Sequence, residues 1–130
     1  MGKLQETTLC LLSKTAITTF VTLNAETTLY TVPAARTCIL SHGWLKVADD
    51  IGDTTVMTVG QDGAESDWVG TTNGDNADAN LDVILFSPVP SATPATLKEY
   101  VAGELIKFKV TTAGNAVAGT FYLFGFLDDA

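Results

Sequence analysis

The clearest pattern of apolar and polar positions lies near the C-terminus. From Leu105 to Thr112, Ile106, Phe108 and Val110 alternate with Leu105, Lys107 and Lys109, the period of two expected of a strand with one wet face. From Gly119 to Leu127 both halves of the alternation are apolar. Phe121 and Leu123 should point one way, and Tyr122, Phe124 and Phe126 the other. The small residues 113–118, Ala-Gly-Asn-Ala-Val-Ala, predict a β-hairpin whose loop is longer than two residues. A strand that is apolar on both faces needs cover on both, from a second sheet and from a further element or another copy of the chain.

Upstream, the pattern gives strands almost everywhere. Ala16 to Leu23 and Thr27 to Val32 are rich in β-branched and aromatic residues, and Pro33 ends the second run because proline cannot donate to a ladder. A longer strand follows from Arg36 to Val47, with a bend expected at Gly43, and another from Thr54 to Val59 after the Asp49–Asp53 turn. Asp67 to Val69 and Leu81 to Phe86 are shorter candidates. Ser87 to Thr96 holds Pro88, Pro90 and Pro94 and reads as a stiff extended connection within one domain. One helical turn is expected, at Leu97 to Val101. Short strands separated by Gly, Pro and Asp turns predict an all-β fold, a single-domain β-sandwich of jelly-roll-like character over residues 16–130. Residues 1–15 precede the first clear strand and read as an N-terminal arm. Its apolar Leu9, Leu11 and Leu12 would be covered by docking.

Composition narrows the function classes. The chain has 130 residues, enough for one core without staples. It has no apolar run near the roughly 20 residues of a membrane helix, and no signal-peptide core at its start, so synthesis in the cytoplasm and no membrane partner are expected. Net charge is −8, and residues 47–97 carry nine acids and no Lys or Arg, against six acids and seven bases elsewhere. That balance argues against phosphate-backbone binding, so no nucleic-acid partner is expected. It suits a solvated surface at high local concentration. Cys10 and Cys38 are too few for a disulfide framework and read as two buried free thiols.

One stretch carries a resemblance. Residues 28–40, Thr-Leu-Tyr-Thr-Val-Pro-Ala-Ala-Arg-Thr-Cys-Ile-Leu, resemble an opening found in tailed-bacteriophage structural β-sandwiches. Tyr100-Val101-Ala102-Gly103-Glu104, an alternating strand, and then Ala118-Gly119-Thr120 leading into an apolar final strand resemble the way such proteins close. The similarity covers roughly residues 27–127, and departs at Ala34-Ala35, where the small pair commonly includes glycine. Within that class, a short acidic chain with an N-terminal arm is most similar to a capsid decoration, or cement, protein. The resemblance implies a non-enzymatic virion component, made in the host cytoplasm, that forms a homo-oligomer, a trimer by analogy, and binds the major capsid protein. A tail, neck or fibre-base component is the alternative within the class. A carbohydrate-binding β-sandwich module is the alternative outside it.

Candidate chemistry is sparse, and no catalytic residue or cofactor site is expected. His42 stands alone as a histidine, and in a regular strand Ser41 and His42 would point to opposite faces and could not couple as nucleophile and base. Two cysteines and one histidine fall short of a zinc site, and the Gly60–Gly63 and Gly70–Gly74 loops lack the Lys-Ser/Thr ending of a phosphate loop. Asp78, Asn80 and Asp82 have the spacing by which a loop aims oxygens at a hard cation. They lack the Gly and Glu that an EF-hand needs, and read as a solvated acidic loop. Trp44 and Trp68, with Tyr30, Tyr100 and Tyr122, could stack on sugars but read first as core. The interface candidates are therefore Leu9, Leu11 and Leu12 together with Tyr122, Phe124 and Phe126.

Overall fold

The computed structural model describes residues 8–75, 77–88 and 98–129. Nine strands form among them: β1 (Cys10–Ile17), β2 (Glu26–Thr31), β3 (Arg36–Val47), β4 (Val56–Gln61), β5 (Ala64–Asn73), β6 (Val83–Phe86), β7 (Glu99–Val101), β8 (Leu105–Thr112) and β9 (Gly119–Asp129). Every pairing is antiparallel, and one set of pairs is nested. β1 lies on β9, β2 on β8, β3 on both β6 and β7, and β4 on β5. Successive pairs fall in alternate sheets. The first sheet runs β1-β9-β3-β6, with β7 also on β3, and the second runs β2-β8-β4-β5. The chain behaves as one long hairpin rolled into two layers, a jelly-roll-like sandwich.

The alternation places the core as the sequence predicts. Ile106, Phe108 and Val110 on β8 are buried, as are Phe121 and Leu123 on β9. The expected β8–β9 hairpin is overturned, because the two strands sit in different sheets. Residues 113–118 cross between the layers. Phe108 and Phe121 therefore meet across the core, with ring centroids 5.8 Å apart and the rings tilted at 58°. Phe86 packs at 5.1 Å on Phe121 and Phe20 meets Phe108 edge-on at 6.1 Å and 87°. Such aromatic pairs contribute about 0.5–1.5 kcal/mol beyond their buried area. Gly43 lies opposite Phe121, and a Cβ there would come within 2.6 Å of that ring. The core leaves β3 no room for a side chain at that point.

Three other expectations shift. The first strand is Cys10–Ile17, not Ala16 to Leu23, so Cys10–Thr15 of the expected arm belong to a strand that pairs with β9. A register break between Leu11 and Ser13 hides its period of two. The β-branched residues beyond it form turns instead, closed by Thr22 N–H to Thr19 O and by Asn24 at φ 63°. Asp67 to Val69 is the middle of the ten-residue β5. The helical turn expected up to Val101 is replaced, over its described part, by β7, which pairs with Thr37–Ile39. Most of the proline-rich connection, together with residues 1–7, lies outside the described residues.

A polar tie joins the layers at one end. The buried Tyr100 on β7 donates its hydroxyl to Asp67 Oδ1 on β5 at 2.9 Å. Gln61 N–H donates to the same oxygen at 3.0 Å, and Lys98 approaches the other at 3.5 Å. Burial, and then the Asp67 carboxylate, hold the Tyr100 phenol far above its ordinary range. The central prediction for the fold concerns Phe108. Phe108→Ala should lower unfolding stability by about 3–5 kcal/mol, read as a drop in the urea midpoint with the slope unchanged.

Candidate interaction surface

Among the described residues, no strand layer lies over the outer face of the first sheet. Its composition follows from the register. Leu11 pairs with Phe124, Lys14 with Tyr122, and Trp44 with both Tyr122 and Leu85. The irregularity in β3 falls between Leu40 and His42, two residues before the bend expected at Gly43. Ahead of it Cys38 and Leu40 face the core, and beyond it Gly43, Leu45 and Val47 do. That change of parity turns both His42 and Trp44 outward.

The result is an aromatic cluster on the sheet surface. His42 stacks on Phe124 at 4.7 Å and 12°, and Trp44 tilts against the same ring at 5.1 Å. Lys14 Nζ sits 5.8 Å from the Tyr122 centroid, within reach of a cation–π contact. Trp44 is 44% exposed, Leu11 49% and Leu85 60%. An apolar face of this breadth is a mark of an interaction site. Of the interface candidates, Tyr122, Phe124 and Phe126 alternate with the buried residues of β9, and Leu9 and Leu11 are exposed beside them. Leu12 instead packs against the core. Trp44, His42 and Leu85 join the face without having been expected. Trp68 and Tyr100 are core.

The same β3 irregularity corrects the reading of Ser41 and His42. Ser41 Oγ lies 3.0 Å from His42 Nδ1, so the two do touch. A nucleophile–base pair also needs a group that orients the base; among the described residues no carboxylate is bonded to the ring, and its flank is taken by Phe124. Cys38 is buried, and that burial, with Cys10 nearby, pushes its thiol up to about 12. Cys10 is half-buried, and its thiol lies 3.5 Å from Gly125 O. β9 runs between the two strands that carry them, and both thiols are free.

The acids gather at one end of the sandwich. Loops 48–55 and 74–82 are tied by Ile51 N–H to Ala77 O and Gly74 N–H to Thr55 O. Carboxylate oxygens of Asp50, Asp53 and Asp78 lie within 4.8 Å of one another. Of the loop read as solvated acids with cation-like spacing, Asp82 Oδ2 accepts the Asp78 and Ala79 N–H groups at 3.0 Å, so it braces its own loop. One oxygen from each of three exposed carboxylates is fewer than the six to eight ligands that calcium takes. A second cluster, Glu26, Asp62 and Glu65, already holds Lys107, at 3.9 Å from Glu26 and 3.7 Å from Asp62. Hydrogen bonding between Glu26 and Glu65 raises the first carboxyl and lowers the second.

No protein-family model matches the sequence, and no curated protein matches it. The fold does have counterparts. It is similar to a chain of the acid-stable capsid structure of the Helicobacter pylori bacteriophage KHP30, with a TM-score of 0.60, 16% identity, and 96% of this chain and 94% of that one covered. It is also similar to a chain of the capsid asymmetric unit of the cyanophage Pam1, with a TM-score of 0.56, 14% identity, and coverage of 91% and 84%. At these identities the shared property is the fold, present over nearly the whole of each chain. Among the described residues, no helix is long and apolar enough to cross a membrane.

The crowded acids give a signed prediction. Local loss of solvent, and then the fields of Asp53, Asp50, Asp82 and Asp75, raise the Asp78 carboxyl above its ordinary value. A raised carboxyl contributes stability only while protonated, and that contribution is lost as pH rises through its folded value. Asp78→Asn should therefore raise the thermal midpoint at neutral pH. The gain should disappear below about pH 4, in melts recorded across the acid range.

Proposed function

We propose that this chain is a non-enzymatic virion structural protein that decorates or cements a phage capsid, using the outer face of the first sheet as its docking surface. The observation that carries the reading is that face: an aromatic and aliphatic surface, exposed among the described residues, on a fold similar to chains in two phage capsid structures. The energetics suit a mechanical role. Interfaces draw most of their strength from a few buried aromatic anchors surrounded by contacts that exclude water, and Trp44, Tyr122 and Phe124 are preassembled at the centre of the face. Because they are held by strands, little conformational entropy is lost on docking.

The acidic loops suit the solvent side of such an assembly. Unpaired carboxylates keep a densely packed coat soluble. Self-association, in a trimer or another closed ring, adds copies of the same surface and multiplies weak contacts with the shell. Sugar binding would need polar groups beside the exposed ring. Trp44 is bordered by Tyr122, Leu85, His42 and Phe124, of which only Tyr122 and His42 carry polar atoms.

Co-sedimentation of the purified chain with capsids of its own phage tests this reading. The unaltered chain should pellet with the particles. Trp44→Ser combined with Phe124→Ser should weaken attachment by about tenfold or more, equivalent to about 1.4 kcal/mol, while unfolding stays cooperative. Full binding by the double variant would remove the face from the account, and failure of the unaltered chain to bind would remove the capsid.

A further inference from the structure

We infer that a pocket on the outer face of the second sheet binds vicinal hydroxyl groups, those of a polyol or of the edge of a saccharide. The inference goes beyond the docking role and uses neither the aromatic face nor the acidic loops. On β4, Thr58 lies between the buried Met57 and Val59; on β8, Lys109 and Thr111 flank the buried Val110. Met57, Val59 and Val110 belong to the core, so alternation turns the other three side chains away from the first sheet. From the pair Gln61 and Ala64 to the pair Val59 and Val69, β4 advances two residues and β5 five, and the surplus leaves the ladder. Glu65 and Ser66 lie in that detour and, with Thr58, Lys109 and Thr111, border a pocket of about 100 Å³. Gly60 admits the detour, since a Cβ there would come within 2.5 Å of Ala64 O.

Every side chain at the pocket is polar. Thr58 is only 4% exposed although it faces outward, and among the described residues its Oγ1 has no hydrogen-bond partner, a costly state for a buried hydroxyl. Thr111 donates its hydroxyl to Val56 O at 3.3 Å, which leaves its oxygen able to accept. No carboxylate of the described residues lies within ion-pair distance of Lys109. Hydrogen bonds with Glu26 and with backbone N–H groups, Gly63 among them at 3.2 Å, hold the Glu65 carboxyl below its ordinary range. Its two oxygens keep lone pairs for a further donor. One ammonium and one carboxylate cancel, so the pocket selects neither an anion nor a cation by charge. It needs an occupant that donates and accepts at closely spaced atoms. Two hydroxyls on adjacent carbons meet that need: one accepts from Lys109, the other donates to Glu65, and either completes Thr58. Water satisfies the same groups singly, and a diol that replaces it keeps the hydrogen bonds.

With no ring among the residues that border it, the pocket binds through hydrogen bonds alone, at about millimolar strength for so small a ligand. With the first sheet on the shell, as proposed above, the second faces away from it, and many copies on one particle multiply the weak contact. That display rests on the docking reading; the site itself does not.

Titration of the isotope-labelled full chain with glycerol, methyl mannoside and methyl glucoside, followed by amide chemical shifts, tests the site. The Thr58, Ser66, Lys109 and Thr111 amides should shift together and saturate with one Kd. Thr58→Val keeps the shape and removes a hydroxyl that has no partner among the described residues, so the chain should stay folded and bind about fivefold more weakly or worse. Ser66→Ala, at the exposed rim, should weaken binding in the same direction. Tighter binding of glycerol assigns a free polyol, and tighter binding of a glycoside assigns a saccharide edge. No saturable shift with any of the three, shifts centred on Trp44 instead, equal saturation by free glycine, or undiminished binding by both variants would each overturn the site. None of these results bears on attachment to capsids.

Discussion

Phe108 and Phe121 meet across the gap between the two sheets, each fully buried and each on the central run of its strand. The remaining architecture is arranged around that contact. β8 supplies one wall and β9 the other, so the chain must cross the sandwich between them rather than turn back along one sheet. Phe20 and Phe86 close the ring cluster, and Gly43 leaves the space that Phe121 fills. The burial that orients one side of β9 inward also leaves Tyr122, Phe124 and Phe126 on the other side. A strand of period two cannot hide both halves in a two-layer fold.

Much of this architecture is legible in the residues themselves, for identifiable reasons. The all-β, single-domain sandwich follows from turn residues and alternation, and Arg36–Val47 is bounded correctly because it lies between the Pro33 break and the Asp49–Asp53 turn. The buried and outward halves of β8 and β9 are assigned from parity alone. Periodicity does not say which sheet a strand joins, and that is why residues 113–118 read as a hairpin loop. The β3 irregularity and the register break in β1 leave no trace in composition. Each changes the parity of the strand residues beyond it. The first turns His42 and Trp44 onto the outer face and brings Ser41 against His42. The second disguises β1.

Charge is divided in the same way as apolar surface. The acids gather in the loops at one end, the first sheet carries Lys14 and Lys46 together with Glu99 and Asp128, and the second sheet pairs its own charges through Lys107 with Glu26 and Asp62. In a monomer this segregation would cost solubility at the face and self-repulsion at the loops, with nothing gained. In an assembly the cost at the face is offset, since apolar area leaves water. The surface is consistent with a chain selected for its contacts rather than for its isolated stability.

The central claim is that the outer face of the first sheet is buried in the assembled particle. Trp44, which is 44% exposed, and Trp68, which is 6% exposed, are the two tryptophans. With Trp68→Phe, emission therefore reports on Trp44 alone. The account predicts a red-shifted spectrum, readily quenched by acrylamide, for isolated chains, and a blue-shifted, protected one for chains on the particle. Equal quenching in both states would contradict it.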